Sequence, residues 1–151
     1  MVGLPGSGKS TWINNNMLTA PKTVIVSTDQ IIDSIGSHYG LTYNELFDVI
    51  SYSFAERVSA KIVEHWIKHR WNVVWDQVNL TVKSRSKRLK IVPDDYTKVA
   101  VVIDRPADHQ LRLDNRRSKV IPADVLEQMI AVYQPPTLDE GFDQIINIRS
   151  Q

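Results

Sequence analysis

Short runs of β-branched residues alternate along this chain with longer segments of helical period, the pattern of an α/β protein with a mainly parallel sheet. The runs predict strands over 23–27, 72–76, 98–103 and 144–148. Between them, apolar residues recur at helical spacing. Helices are predicted over 9–17, closed by Pro21, and over 44–69, where Leu46, Val49, Ile50, Phe54, Val58, Ile62 and Trp66 lie near one stripe. Three more are expected over 82–91 behind a Thr81 cap, from Pro106 towards Arg116, and over 122–133, and a short one runs through Ile35. Proline suits a first helical position because its missing amide would have no intrahelical partner there. Pro106 and Pro122 are therefore read as starts rather than breaks. Pro135, Pro136 and Gly141 mark a turn before the last strand. No repeat or flexible linker interrupts the pattern, so residues 1–151 are read as one domain.

Composition narrows the class. With 151 residues, 42% of them hydrophobic, the chain suits a single core of ordinary size. The absence of cysteine removes disulfide frameworks, thiolate nucleophiles and sulfur-based zinc sites, and makes a cytoplasmic setting the expectation. A net charge of +1 means that any nucleic-acid contact must come from local clusters. The apolar runs near Val24 and Val99 are about a quarter of the roughly 20 residues needed to cross a bilayer. No membrane association is expected.

Gly3, Leu4, Pro5, Gly6, Ser7, Gly8, Lys9 and Ser10 match the phosphate-binding loop G-x-x-x-x-G-K-[ST]. Its glycines let the backbone turn several amides towards a β-phosphate, the following helix offers its positive end, and Lys9 can bridge β- and γ-phosphates. Ser10 would hold Mg²⁺, and Thr11 follows it at the helix start. ATP and Mg²⁺ are the expected ligands. Such a loop should follow a complete central strand, yet only Met1 and Val2 precede Gly3. The expectation is a first strand cut short, with Met1 not the biological start.

Taken together, G-L-P-G-S-G-K-S-T-W, S-T-D-Q-I-I after the second strand, D-Q-V-N-L after the third and the distal N-R-R-S-K-V-I-P-A-D-V-L resemble the kinase module of phage polynucleotide 5′-kinases. The resemblance spans residues 2 to about 146. It implies a three-layer P-loop kinase with a five-stranded sheet in the order 2-3-1-4-5 and an arginine-bearing lid near 112–121. It further implies transfer of the ATP γ-phosphate to a 5′-hydroxyl end of RNA or DNA.

Phosphoryl transfer needs an anion cradle, a metal, mobile positive charge and a carboxylate near the attacking hydroxyl. Asp29 follows a strand at the carboxyl edge where open sheets bind ligands, which makes it the candidate general base. The plainer reading is that Asp29 or Thr28 caps the next helix. Asp76 ends another strand and could hold the Mg²⁺ shell or orient the acceptor, with Asn79 in the same D-x-x-N segment; alternatively both only shape the turn. Arg112 and Arg116 share a helical face, with Arg117 and Lys119 beyond. The resemblance gives Arg112 and Arg116 the role of clamping ATP phosphates; a solvated basic face is the alternative. Arg85 and Arg88, within the basic run from Lys83 to Lys90, are candidates for a backbone phosphate of the acceptor, against an ordinary solvated surface. His65 and His69 are read as a surface pair. Two positions depart from the family pattern: Ile32 stands where the phage enzyme has an arginine that contacts the acceptor's phosphate, and Arg117 where glycine is common. The alternatives to a polynucleotide kinase are a kinase of nucleosides or other small hydroxyl compounds, and an inactive ATP-binding module that serves as an RNA-binding or adaptor domain. The number of subunits is not read from the sequence.

Overall fold

In the computed structural model, which describes residues 1–42, 45–46, 49–115 and 121–149, the strands pair in parallel. β1 (Thr23–Val26) lies beside β2 (Asn72–Trp75), with Val26 opposite Trp75. β3 (Val99–Ile103) lies beside β4 (Gln144–Ile148), with Ile103 opposite Ile148. Parallel neighbours need long crossovers, and helices supply them. After α1 (Lys9–Asn16), α2 (Thr28–Tyr39) and α3 (Tyr52–Lys68) connect β1 to β2. Then α4 (Val82–Leu89) leads to β3, and α5 (His109–Asp114), α6 (Ala123–Ala131) and a 3₁₀ turn at Leu138–Glu140 lead to β4.

Met1 and Val2 hydrogen-bond to both strand pairs. The Met1 amine donates to the Trp75 carbonyl at 3.0 Å, the Val2 amide to Val101 at 2.8 Å, and the Ile103 amide returns to Val2 at 2.9 Å. Val2 thereby forms a parallel bridge with Val102 and is itself buried.

The four strands stand within a residue of their predicted positions, whereas the helices differ more. The predicted 44–69 helix is divided: residues 45, 46 and 49 are helical, and α3 begins anew at Tyr52, where the Ser51 hydroxyl accepts from the Phe54 amide and caps it. Residues 44, 47 and 48 of that prediction lie outside the described residues. The short helix expected through Ile35 runs on to Tyr39 as α2, where Gly40 takes the left-handed conformation (φ 69°) that closes it. Pro106 does not open a helix. Its carbonyl accepts from the His109 amide in a turn, and α5 starts at His109. Pro122 is the residue before α6, not its first.

Two apolar clusters hold these elements. Val26 and Trp75 pack against Val63 and Ile67, which fastens α3 to the β1–β2 pair. Ile32, Leu46 and Ala55 join α2 to α3. Full burial of such side chains contributes about 1.5–3 kcal/mol each. Among the described residues, no helix is long and apolar enough to cross a membrane.

Candidate functional site at the strand ends

The loop of residues 3–10 leads directly into α1. No side chain caps this helix and its own first turn holds no acidic residue, so its positive end faces the loop. The Lys9 ammonium is buried and donates to the carbonyls of Gly3 (2.9 Å) and Leu4 (2.8 Å), folded onto its own loop. Ser10 Oγ donates to Asp76 Oδ2 at 3.2 Å, so the loop serine and the carboxylate that follows β2 meet. Thr11 is exposed on α1. Gly6 has φ 79°, and a Cβ there would stand 2.9 Å from Leu113 Cδ2 of α5. Gly6→Ala combines left-handed strain of roughly 1–2 kcal/mol with that clash. It is expected to weaken ATP binding about tenfold, measurable by titration calorimetry; unchanged affinity would refute the role of this curl.

Asp29 occupies the first turn of α2, immediately beyond β1. The capping alternative is corrected: Ser27 caps this helix, its hydroxyl accepting from the Gln30 amide at 3.4 Å. Thr28 is buried and accepts a hydrogen bond from the Gln77 side-chain amide. Because Gln77 follows Asp76, and Asp76 meets Ser10, this contact ties the start of α2 to the edge where the loop lies. Tyr52, at the start of α3, shares this neighbourhood. Burial pushes its phenol above the usual range, the carboxylates of Glu56 and Asp29 add to that, and a Thr28 hydrogen bond opposes it.

The basic helix corrects the sequence expectation most strongly. Arg85 is buried, with 2% of its side chain exposed, and takes Glu140 in a two-pronged ion pair, both contacts at 2.7 Å. Its remaining donors reach the carbonyls of Asn79 (3.1 Å), Gln134 (2.8 Å) and Pro135 (3.5 Å). Every guanidinium N–H is spent inside the protein, so Arg85 meets no acceptor phosphate. Arg88 is also mostly enclosed: it donates to Gln77 (3.0 Å) and Glu56 (2.5 Å) and lies over the Trp75 ring. Both were read as phosphate contacts or solvated cations, and both instead fasten α4 to its neighbours. Asn79 is buried at φ 46°, its amide donating to the Met1 carbonyl at 3.0 Å, which makes it a turn residue rather than an acceptor contact. Ile32 is 0% exposed in the α2–α3 cluster. That position faces the core, so an arginine there would be buried rather than aimed at a substrate.

Arg112 is half-buried and bonds the Asp108 carboxylate at 2.7 Å, which holds that acid below its ordinary range. Arg116, Arg117 and Lys119 lie outside the described residues. The exposed His65 and His69 rings lie 4.6 Å apart between centroids, tilted at 54°, and no group of three or more His, Asp or Glu side chains able to hold a metal ion occurs among the described residues. Sequence reasoning missed Gln77, Tyr52, Glu56 and His109. Their only signal was proximity to motif residues, which does not say which way a side chain turns.

A glycine loop at the carboxyl edge of parallel strands, entering a helix through Lys9 and Ser10, defines a P-loop nucleotide-binding domain of kinase-like build. A family model described as an AAA domain matches residues 1–136, and the chain belongs to that family.

Proposed function

We propose that this chain is an Mg²⁺- and ATP-dependent polynucleotide 5′-hydroxyl kinase. The observation that carries the reading is the linked edge Ser10–Asp76–Gln77–Thr28, which brings the loop serine, a strand-end carboxylate and the helix turn bearing Asp29 onto one side of the sheet. The strand order 2-3-1-4-5, with Met1 and Val2 in the first-strand position, suits the bonds from these residues to Trp75 and Val101.

Asp29 accepts the proton of the acceptor hydroxyl as its oxygen forms a bond to the γ-phosphorus. The bond from that phosphorus to the β,γ-bridging oxygen breaks, and ADP leaves with the electron pair. Lys9 exchanges the Gly3 and Leu4 carbonyls for phosphate oxygens, and loop amides bind the β-phosphate. Arg112 exchanges Asp108 for phosphate, with Arg116 as its partner in a lid near 112–121. A hydroxyl and a carboxylate, both hard oxygen donors, meet at Ser10 and Asp76, and this pair fits Mg²⁺, which takes few protein ligands and keeps several waters. When bound, that ion would neutralise charge on the β- and γ-oxygens.

One observation favours a smaller acceptor, a nucleoside or other hydroxyl compound: Arg85, Arg88, Asn79 and Ile32 all turn inward. Labelled γ-phosphate transfer to 5′-hydroxyl RNA, 5′-hydroxyl DNA and free nucleosides separates the readings. Product on oligonucleotides alone is the expected result. Product on nucleosides alone selects the smaller acceptor, and ATP binding without product selects an inactive nucleotide-controlled RNA-binding or adaptor module.

A further inference from the structure

His109 is 1% exposed at the start of α5, and its Nε2 lies 2.7 Å from the carbonyl oxygen of Pro5 in the phosphate loop. A carbonyl only accepts, so Nε2 carries the proton. The other ring nitrogen, Nδ1, is buried and has no hydrogen-bond partner among the described residues. The Nε2–H tautomer therefore satisfies the one partner present.

Three successive loop carbonyls accept from side chains, and that of Leu4 also accepts from the Ser7 amide at 3.2 Å. Gly3 and Leu4 are held by Lys9, and Pro5 by His109. A loop that presents amides to an anion must turn its carbonyls away, and these contacts hold them there. The first two are lost when Lys9 reaches for a phosphate, while the third need not break. Leu113, one turn further along α5, packs against Gly6, so this helix braces two adjacent loop residues.

We propose that His109 is a positioning residue for the phosphate loop: its Nε2–H bond to Pro5 keeps the loop curled once Lys9 has left, and so couples nucleotide affinity to α5. This rests on the nucleotide-binding reading above. Wild-type protein that fails to bind MgATP defeats that reading, whereas the comparison of variants with a binding wild type tests His109.

The test measures MgATP and MgADP affinity by calorimetry for wild type, His109→Leu, which has similar bulk and no donor, and His109→Gln, which keeps a side-chain N–H of comparable reach. The melting midpoint without nucleotide is followed in parallel. The expected result is an affinity about tenfold weaker for both nucleotides in folded His109→Leu, and within threefold of wild type in His109→Gln. A role in packing alone would lower the melting midpoint and leave the affinity of the folded protein unchanged; that outcome overturns the proposal. If His109→Leu does not fold, the decision passes to His109→Gln and to the ring-nitrogen NMR spectrum of wild type. Near-normal affinity with an Nε2–H tautomer upholds the proposal, and weakened affinity or an Nδ1–H tautomer overturns it.

Discussion

Asp29→Asn is expected to lower the turnover number of the proposed transfer by about 10²–10⁴-fold while leaving MgATP affinity within a few-fold of wild type. The amide has nearly the shape of the carboxylate and can still orient a hydroxyl, but it cannot take the proton. The fold should survive, because the Ser27 hydroxyl, not residue 29, caps α2. Loss of a negative charge from that turn typically costs about 0.3–1 kcal/mol of stability, too little to unfold the protein and so to account for a hundredfold loss of turnover. Steady-state kinetics with the best acceptor, together with calorimetric ATP binding, checks the expectation. Turnover within threefold of wild type would remove Asp29 from the role of base.

Arg85→Met is expected to destabilise the protein by about 3–5 kcal/mol, or roughly 6–20 °C in melting temperature. The guanidinium holds Glu140 and carbonyls on the 79–81 turn and the 134–135 segment, so its removal strands a buried carboxylate and several acceptors at once. Arg85→Met with Glu140→Leu should recover much of the loss, since replacing both partners of a buried pair costs far less than removing one. Arg85 bonding holds the Glu140 carboxyl below its ordinary value of 4.5. A depressed folded-state value stabilises the fold above the unfolded value, and that contribution fades as pH falls through the folded one. The stability gap between wild type and Arg85→Met should therefore narrow below pH 4.5. Chemical denaturation across pH 3–7 measures it; a gap of under 1 kcal/mol at neutral pH would show that the pair is not the anchor described here.

Much of the site was readable from residue order because its parts are local. The phosphate loop is eight consecutive residues whose chemistry needs only a strand before it and a helix after it. Asp29 and Asp76 could be placed because each follows a β-branched run, and strand ends in a parallel sheet share one edge. The basic helix misled because linear order records charge and spacing but not partners. Arg85 and Glu140 are 55 positions apart, and only docking of the 134–140 segment brings them together. The T-x-x-E pattern at Thr137–Glu140, a capping box in the structure, was the local trace of that segment's order. Ile32 follows the same logic: the resemblance to the phage kinases implied a missing substrate contact at that position, and its helical phase turns it into the core.

Residue order suffices for the parallel α/β build, the phosphate loop and the strand-end carboxylates, because hydrophobic period and glycine placement act over a few residues. Tertiary structure alone decided which charged side chains look outward and which hold the fold, that Ser10 meets Asp76, and that His109 braces Pro5. Those outcomes depend on which distant groups satisfy a buried donor, and a buried donor takes whatever partner packing brings within about 3 Å.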